Sequence, residues 1–220
     1  LWLSAFIASA TITSRVVYGL HREIHHARSV GQYLLHEKLG EGGMGVVYGA
    51  HDSQLDRSVA LKFLRASAGA ESKERLSREA QALARIAHPN VVTVFDVGEH
   101  RGQPFIAMEY VPGDTLGALI RGRPSPPRGE LLRLIQDACT GLAFAHRSGV
   151  VHLDVKPENL LRRQDGRLKI LDFGLARVVA IDETHTRHSA GTLRYMSPEQ
   201  LNGGLVDHRS DVFGLGCVLY

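Results

Sequence analysis

The chain has 220 residues, 44% of them apolar and 22% charged, with a net charge of +3. That length holds one large domain or two small ones, and the apolar share is enough for a packed core. The weak positive balance contains no dense Lys/Arg run, which speaks against a nucleic-acid partner. Cys139 and Cys217 stand in apolar surroundings outside any Cys-x-x-Cys pair, so buried thiols are expected rather than a disulfide or a metal site.

Residues 1–14 carry no charge. As a helix at ~1.5 Å per residue they reach roughly 21 Å, short of a ~30 Å hydrocarbon core. Leu1 and Tyr220 both read as cut ends, so this segment is expected to be the end of a transmembrane helix. Arg15, His21, Arg22, His25, His26 and Arg28 follow, and basic residues just after a span favour the cytoplasmic side. A signal peptide cleaved near Ala8-Ser9-Ala10 and a soluble apolar helix are the competing readings; the first lacks a charged leader. Val17, Leu20, Ile24 and Ala27 form one helical stripe, predicting a juxtamembrane helix and linker over 15–32 that could pair in a homodimer.

From residue 33 the pattern changes. Segments 33–39, 46–51 and 58–64 are short, β-rich and separated by Gly or polar turns, which predicts three antiparallel strands. Leu76, Ala80, Leu83 and Ile86 recur at helical spacing over 71–86. Two more strands are predicted over 91–97 and 104–110. A proline-containing loop at 123–128 precedes a long helix over 130–147. A short strand pair lies within 160–170, and an apolar helix begins at 211.

Between the first two strands stands Gly40-Glu41-Gly42-Gly43-Met44-Gly45, a G-x-G-x-x-G run whose backbone can fold over phosphates. A dinucleotide-binding turn would need a helix next, but Val46-Val47-Tyr48 reads as a strand. Lys62 sits in the apolar strand Val59-Ala60-Leu61-Lys62, a costly place unless it is paired. Glu79 on the predicted helix is the expected partner, with Glu74 as a local competitor. Further on come His152-Leu153-Asp154-Val155-Lys156-Pro157-Glu158-Asn159, then Asp172-Phe173-Gly174, then Ser197-Pro198-Glu199.

In this order and with these gaps, the motifs resemble eukaryotic-like (Hanks-type) protein kinases over residues 33–220. The pairing of Gly-Glu-Gly-Gly-Met-Gly with Tyr-Met-Ser-Pro-Glu is most similar to bacterial members. The resemblance implies an α+β, bilobal fold, with a β-rich N-lobe over 33–110 and a mainly helical, incomplete C-lobe over 111–220. It implies a serine/threonine protein kinase that uses ATP with Mg²⁺, or Mn²⁺ in its place, on protein substrates; together with the apolar 1–14 segment and the basic residues after it, the expectation is membrane-linked signalling with the kinase domain cytoplasmic.

The implied roles follow residue by residue. Asp154 would orient the substrate hydroxyl and accept its proton, and Lys156 would contact the γ-phosphate. Asn159 and Asp172 would ligate the metal through hard oxygen donors. Lys62, held by Glu79, would bind the α- and β-phosphates beneath Gly40, Gly42 and Gly45. Leu39, Val47, Ala60 and Leu161 would wall the adenine. Met108 would be the gatekeeper, and Glu109 and Val111 would supply backbone hydrogen bonds. Thr192 and Lys156 resemble serine/threonine rather than tyrosine kinases. His152 would pack beneath the loop, and Asp211 would support its backbone.

Two departures stand out. Leu153 occupies the place of an Arg that in many relatives pairs with an activation-loop phosphate, so activity is expected not to require that pairing. Glu199 in relatives pairs with an Arg from a later segment, so an orphaned carboxylate and a poorly stable, weakly active or inactive fragment are expected here. Leu153 also keeps a second reading open, a pseudokinase acting as an ATP-binding signalling scaffold. A small-molecule kinase of related fold is the third.

Overall fold

The computed structural model describes residues 29–43, 45–64, 83–122, 124, 126–173 and 192–220. From Val59 onward every residue of strand β4 (Arg57–Leu64) is buried, as expected of an apolar run covered on both faces. It lies between β3 (Gly45–Asp52) and β6 (Gln103–Glu109). With β1 (Ser29–Val30), β2 (Tyr33–Gly42) and β5 (Val94–His100) they form an antiparallel sheet of order β1-β2-β3-β4-β6-β5. One face buries Val30, Tyr33, Val59, Leu61, Phe63 and Phe105. Tyr33 also donates its hydroxyl to Asp96 at 3.0 Å. Burial first, and that carboxylate second, push the Tyr33 phenol up to about 12.

The last residues of the helix and linker expected over 15–32 form part of the sheet instead. A tight turn at Gly31-Gln32, with Gly31 at φ +57°, folds Ser29 onto Leu34 and Val30 onto Tyr33. Two residues are too few to show a strand period, which is why the sequence reads as a loop. Residues 1–28 of the predicted membrane and juxtamembrane segments lie outside the described residues, as does most of the predicted helix over 71–86, Glu79 included. Among the described residues no helix is long and apolar enough to cross a membrane.

A second core lies beyond this sheet. Helix α2 (Arg128–Arg147) follows α1 (Leu116–Arg121) and buries Leu134, Ala138, Gly141, Leu142 and Ala145, a 3-4 stripe. The stripe packs on β9 (Leu168–Ile170), the end strand of a small sheet of order β7-β8-β9, with β7 (Gly113–Thr115) and β8 (Leu160–Arg163). Gly141 allows this close approach, because a Cβ would stand 2.8 Å from Ile170 Cδ1 and 3.1 Å from Asn90 O and push both neighbours back. Asn90 ties the chain before β5 to β9. Its O accepts from Ile170 N at 2.8 Å and its side chain donates to Leu168 O at 2.9 Å.

The cysteine expectation fails. Cys139 is exposed, because position 139 falls off the α2 stripe, and Cys217 is half-buried. Both are free thiols. Two further helices complete the described chain, α3 (Pro198–Leu201) and α4 (His208–Leu219). A capping box starts α3, with Ser197 and Gln200 satisfying each other's backbone N–H groups.

Candidate active site

The β2–β3 hairpin carries the glycine run. Gly45 has φ +148° and pairs with Leu64, and a Cβ there would stand 1.9 Å from Phe63 O, so only glycine fits. Gly40, Gly42 and Gly43 differ. Among the described residues a Cβ added to any of them would meet no neighbouring atom within 4 Å, so their packing does not demand glycine there. All three line a cleft of about 910 Å³.

The same cleft brings together the apolar residues expected around a base. Leu39 and Val47 come from the hairpin, Ala60 from β4, Met108 from β6, Val111 from the segment before β7 and Leu161 from β8. Ala60, Met108 and Val92 are buried together, with Val47, Val111 and Leu171 packed against them. Glu109 lines the cleft too, but its N–H donates to Thr93 O at 2.9 Å. Its carboxylate takes Lys169 Nζ in a short ion pair and Thr93 N at 3.3 Å. Any backbone contact from Glu109 to a ligand therefore falls to its carbonyl.

Lys62 is buried and meets Asp172 Oδ2 at 2.8 Å. Asp172, not the expected Glu79, is its partner among the described residues. Burial opposes ionisation of Asp172, yet the Lys62 ammonium and its hydrogen bond outweigh it and hold the carboxyl below the usual carboxylate range. Asp172 has φ +58°, a left-handed conformation costing a non-glycine residue about 1–3 kcal/mol. Such strain persists where the surroundings hold it, and the Lys62 pair does so here.

Asp154 lies across the cleft and is 7% exposed. Lys156 Nζ donates to its Oδ2 at 2.7 Å, and Asn159 Nδ2 donates to Oδ2 at 3.0 Å and to Asp154 O at 2.8 Å. The Asn159 amide nitrogen is thus committed to Asp154. Among the described residues nothing bonds Asn159 Oδ1 or Asp172 Oδ1, which leaves two oxygen donors of the kind a hard divalent cation takes. His152 is fully buried beneath the loop. Its Nδ1 accepts from Asp154 N at 3.2 Å, so its Nε2 carries the proton donated to Leu171 O at 2.7 Å. Asp211 accepts from His152 N at 2.8 Å and Leu153 N at 2.7 Å, and its Oδ2 lies 2.7 Å from His146 Nε2.

Some expectations need revision. Glu199 is not orphaned, because Ser210 Oγ donates to it at 2.5 Å. That bond first, then local backbone and Ser197 contacts, hold its carboxyl below the usual range. Thr192 opens the turn Thr192–Tyr195, and its side chain is outside what is described. Sequence reasoning missed Leu171, Tyr195 and the Arg121–Glu158 ion pair (3.2 Å), all of which line the cleft. Leu171 was within reach of that reasoning, as the apolar residue directly before Asp172.

The twisted antiparallel sheet, the cleft beside it and the helical portion beyond make a bilobal α+β fold of the phosphotransferase class, as expected. Residues 33–220 match the protein kinase domain family, and the chain belongs to that family. It is 43% identical over 198 residues to the serine/threonine-protein kinase PknB of Mycobacterium leprae, covering 86% of this chain and 32% of the relative. It is 40% identical over 197 residues to the serine/threonine-protein kinase PrkC of Bacillus subtilis, covering 88% of this chain and 30% of that one. The crystal structure of the Mycobacterium tuberculosis PknI kinase domain superposes with a TM-score of 0.72 at 31% identity, covering 87% of this chain and 73% of that one. The chain spans about a third of the length of the curated relatives it matches.

Proposed function

We propose that this chain is the catalytic portion of a protein serine/threonine kinase that transfers the γ-phosphate of MgATP to Ser or Thr hydroxyls of protein substrates. The observation that carries the reading is one cleft holding both the Lys62–Asp172 pair and the Asp154–Lys156–Asn159 cluster, beneath glycines that packing among the described residues does not require. Phosphoryl transfer asks for positioning and charge neutralisation more than covalent chemistry, and these residues supply both.

In this reading the apolar walls from Leu39, Val47, Ala60, Met108 and Leu161 hold the adenine, with backbone contacts from Glu109 and Val111. Gly40, Gly42 and Gly45 shape the loop that lets backbone N–H groups approach the phosphates. Lys62 binds the α- and β-phosphates, and Glu79 is proposed to hold it when Asp172 turns to the metal. A divalent cation, Mg²⁺ or Mn²⁺, supplies electrostatic stabilisation of the phosphates and would be held by Asn159 Oδ1 and Asp172. Asp154 orients the acceptor hydroxyl and takes its proton. Lys156, 2.7 Å from Asp154, neutralises charge between base and phosphate. Thr192 is assigned to the acceptor side. The uncharged segment 1–14 supports attachment to a membrane with the kinase portion on the cytoplasmic face, and the 15–28 stripe supports pairing between two copies.

The test is phosphoamino-acid analysis of an acceptor protein labelled by the intact protein with γ-labelled ATP. Label on Ser and Thr is expected. Label on Tyr alone, or on a small-molecule acceptor alone, contradicts the reading.

A further inference from the structure

The four backbone polar groups of Leu153 and Asp154 are all bonded to side chains. Leu153 N goes to Asp211 (2.7 Å), Asp154 N to His152 Nδ1 (3.2 Å), and Asp154 O receives Asn159 Nδ2 (2.8 Å). The fourth, Leu153 O, receives Gln200 Nε2 at 2.8 Å. Leu153 is also the strained point of the loop, a β-unbranched but bulky residue at φ +64°. Asp211 holds one side of that left-handed residue and Gln200 holds the other.

The Gln200 amide has only one useful orientation. Its Oε1 accepts from Ser197 N at 3.0 Å, so its Nε2 faces Leu153 O. A flipped amide would set donor against donor at Ser197 and acceptor against acceptor at Leu153. We propose that Gln200 is a positioning residue: through Leu153 O it holds the left-handed turn and so aims the carboxylate of Asp154. The inference rests on the kinase reading above. It assigns to α3, whose capping box needs only the oxygen of residue 200, a second task that needs its nitrogen.

Gln200→Glu separates the two tasks. Glu keeps an oxygen for Ser197 N, and Glu at this place is itself a capping-box residue. It removes the donor to Leu153 and sets an oxygen against an oxygen. In the intact protein, Gln200→Glu and Gln200→Ala are expected to lower kcat at least tenfold, with KM for ATP within twofold of wild type. Adding Leu153→Gly to Gln200→Ala is expected to recover at least threefold of the lost kcat, since glycine adopts the left-handed conformation freely. If residue 200 serves only to cap α3, Gln200→Glu keeps full turnover, and that result overturns the proposal. Additive losses in the double variant also overturn it.

Amide hydrogen exchange reads the same contact without turnover. Exchange over 151–156 is expected to quicken in Gln200→Glu while α4 is unchanged, and equal exchange in both proteins overturns the proposal. A wild-type protein that transfers no phosphate would sink the kinase reading but leave the exchange test standing.

Discussion

Asp211→Ala offers a demanding check on how the loop is held. Asp211 is 1% exposed and serves three donors: His152 N, Leu153 N and His146 Nε2. Alanine leaves two backbone N–H groups without their acceptor, one of them in the fully buried His152. Each unsatisfied buried donor costs about 1–3 kcal/mol, and bonds to a charged acceptor stand at the upper end. Leu153 also loses one of the two contacts that hold its left-handed backbone, whose intrinsic cost is roughly 1–2 kcal/mol. Allowing for water entering the space, the net loss is about 3–5 kcal/mol. For a domain of this size each kcal/mol moves Tm by about 2–4 °C, so a fall of roughly 10 °C is expected. Asp211→Asn keeps one oxygen and the shape, and its loss is expected to be about half as large. The assay is thermal unfolding followed by circular dichroism, with turnover measured on the same samples. A Tm for Asp211→Ala within about 2 °C of wild type would refute the reasoning.

Three further outcomes follow from the same geometry. Lys62→Met removes the ammonium that keeps Asp172 below the usual carboxylate range. A depressed carboxyl contributes stability that is present above its unfolded value, about 3.9, and lost as pH falls through the folded value. The wild-type advantage over Lys62→Met should therefore be greatest near neutral pH and shrink in acid; urea titrations across pH would contradict this if the gap stayed constant. Lys169→Met strips the partly buried Glu109 carboxylate of its partner, an expected loss of roughly 2–3 kcal/mol, with partial recovery when Glu109→Leu is added. Denaturant midpoints decide it, and a neutral single variant would count against a structural role for that pair. Ala60→Phe adds bulk at a buried wall of the cleft, and calorimetry should show ATP affinity falling at least about tenfold while the Asp154 cluster is untouched.

Local pattern carries the reading of this chain a long way. The predicted strand at 46–51 is β3 (Gly45–Asp52), and the predicted helix at 130–147 starts only two residues late against α2 (Arg128–Arg147). The cleft residues were legible through the resemblance to protein kinases, which the glycine run, the lysine strand and the catalytic loop carry in order and spacing. What escaped was long-range or too short to have a period. Val30 and β7 (Gly113–Thr115) belong to strands of two and three residues. The Lys169–Glu109 pair and the Gln200–Leu153 contact join residues 60 and 47 positions apart, with no local signature at either end. Cys139 misled because free cysteine is usually a buried residue type, while its own helix face is not buried. Leu153 read as a regulatory oddity in sequence. In the fold it is a left-handed residue clamped from two sides.

The central claim is that Asp154, held by Lys156 and Asn159, serves transfer of phosphate to a protein hydroxyl. The most direct test is transfer from γ-labelled MgATP by the intact wild-type protein beside Asp154→Asn, which keeps size and shape but cannot accept the proton. The account predicts clear labelling by wild type and at least about a hundredfold less by the variant, in line with the usual contribution of a positioned base. Equal labelling by both, or background labelling by both with ATP still bound, would contradict it.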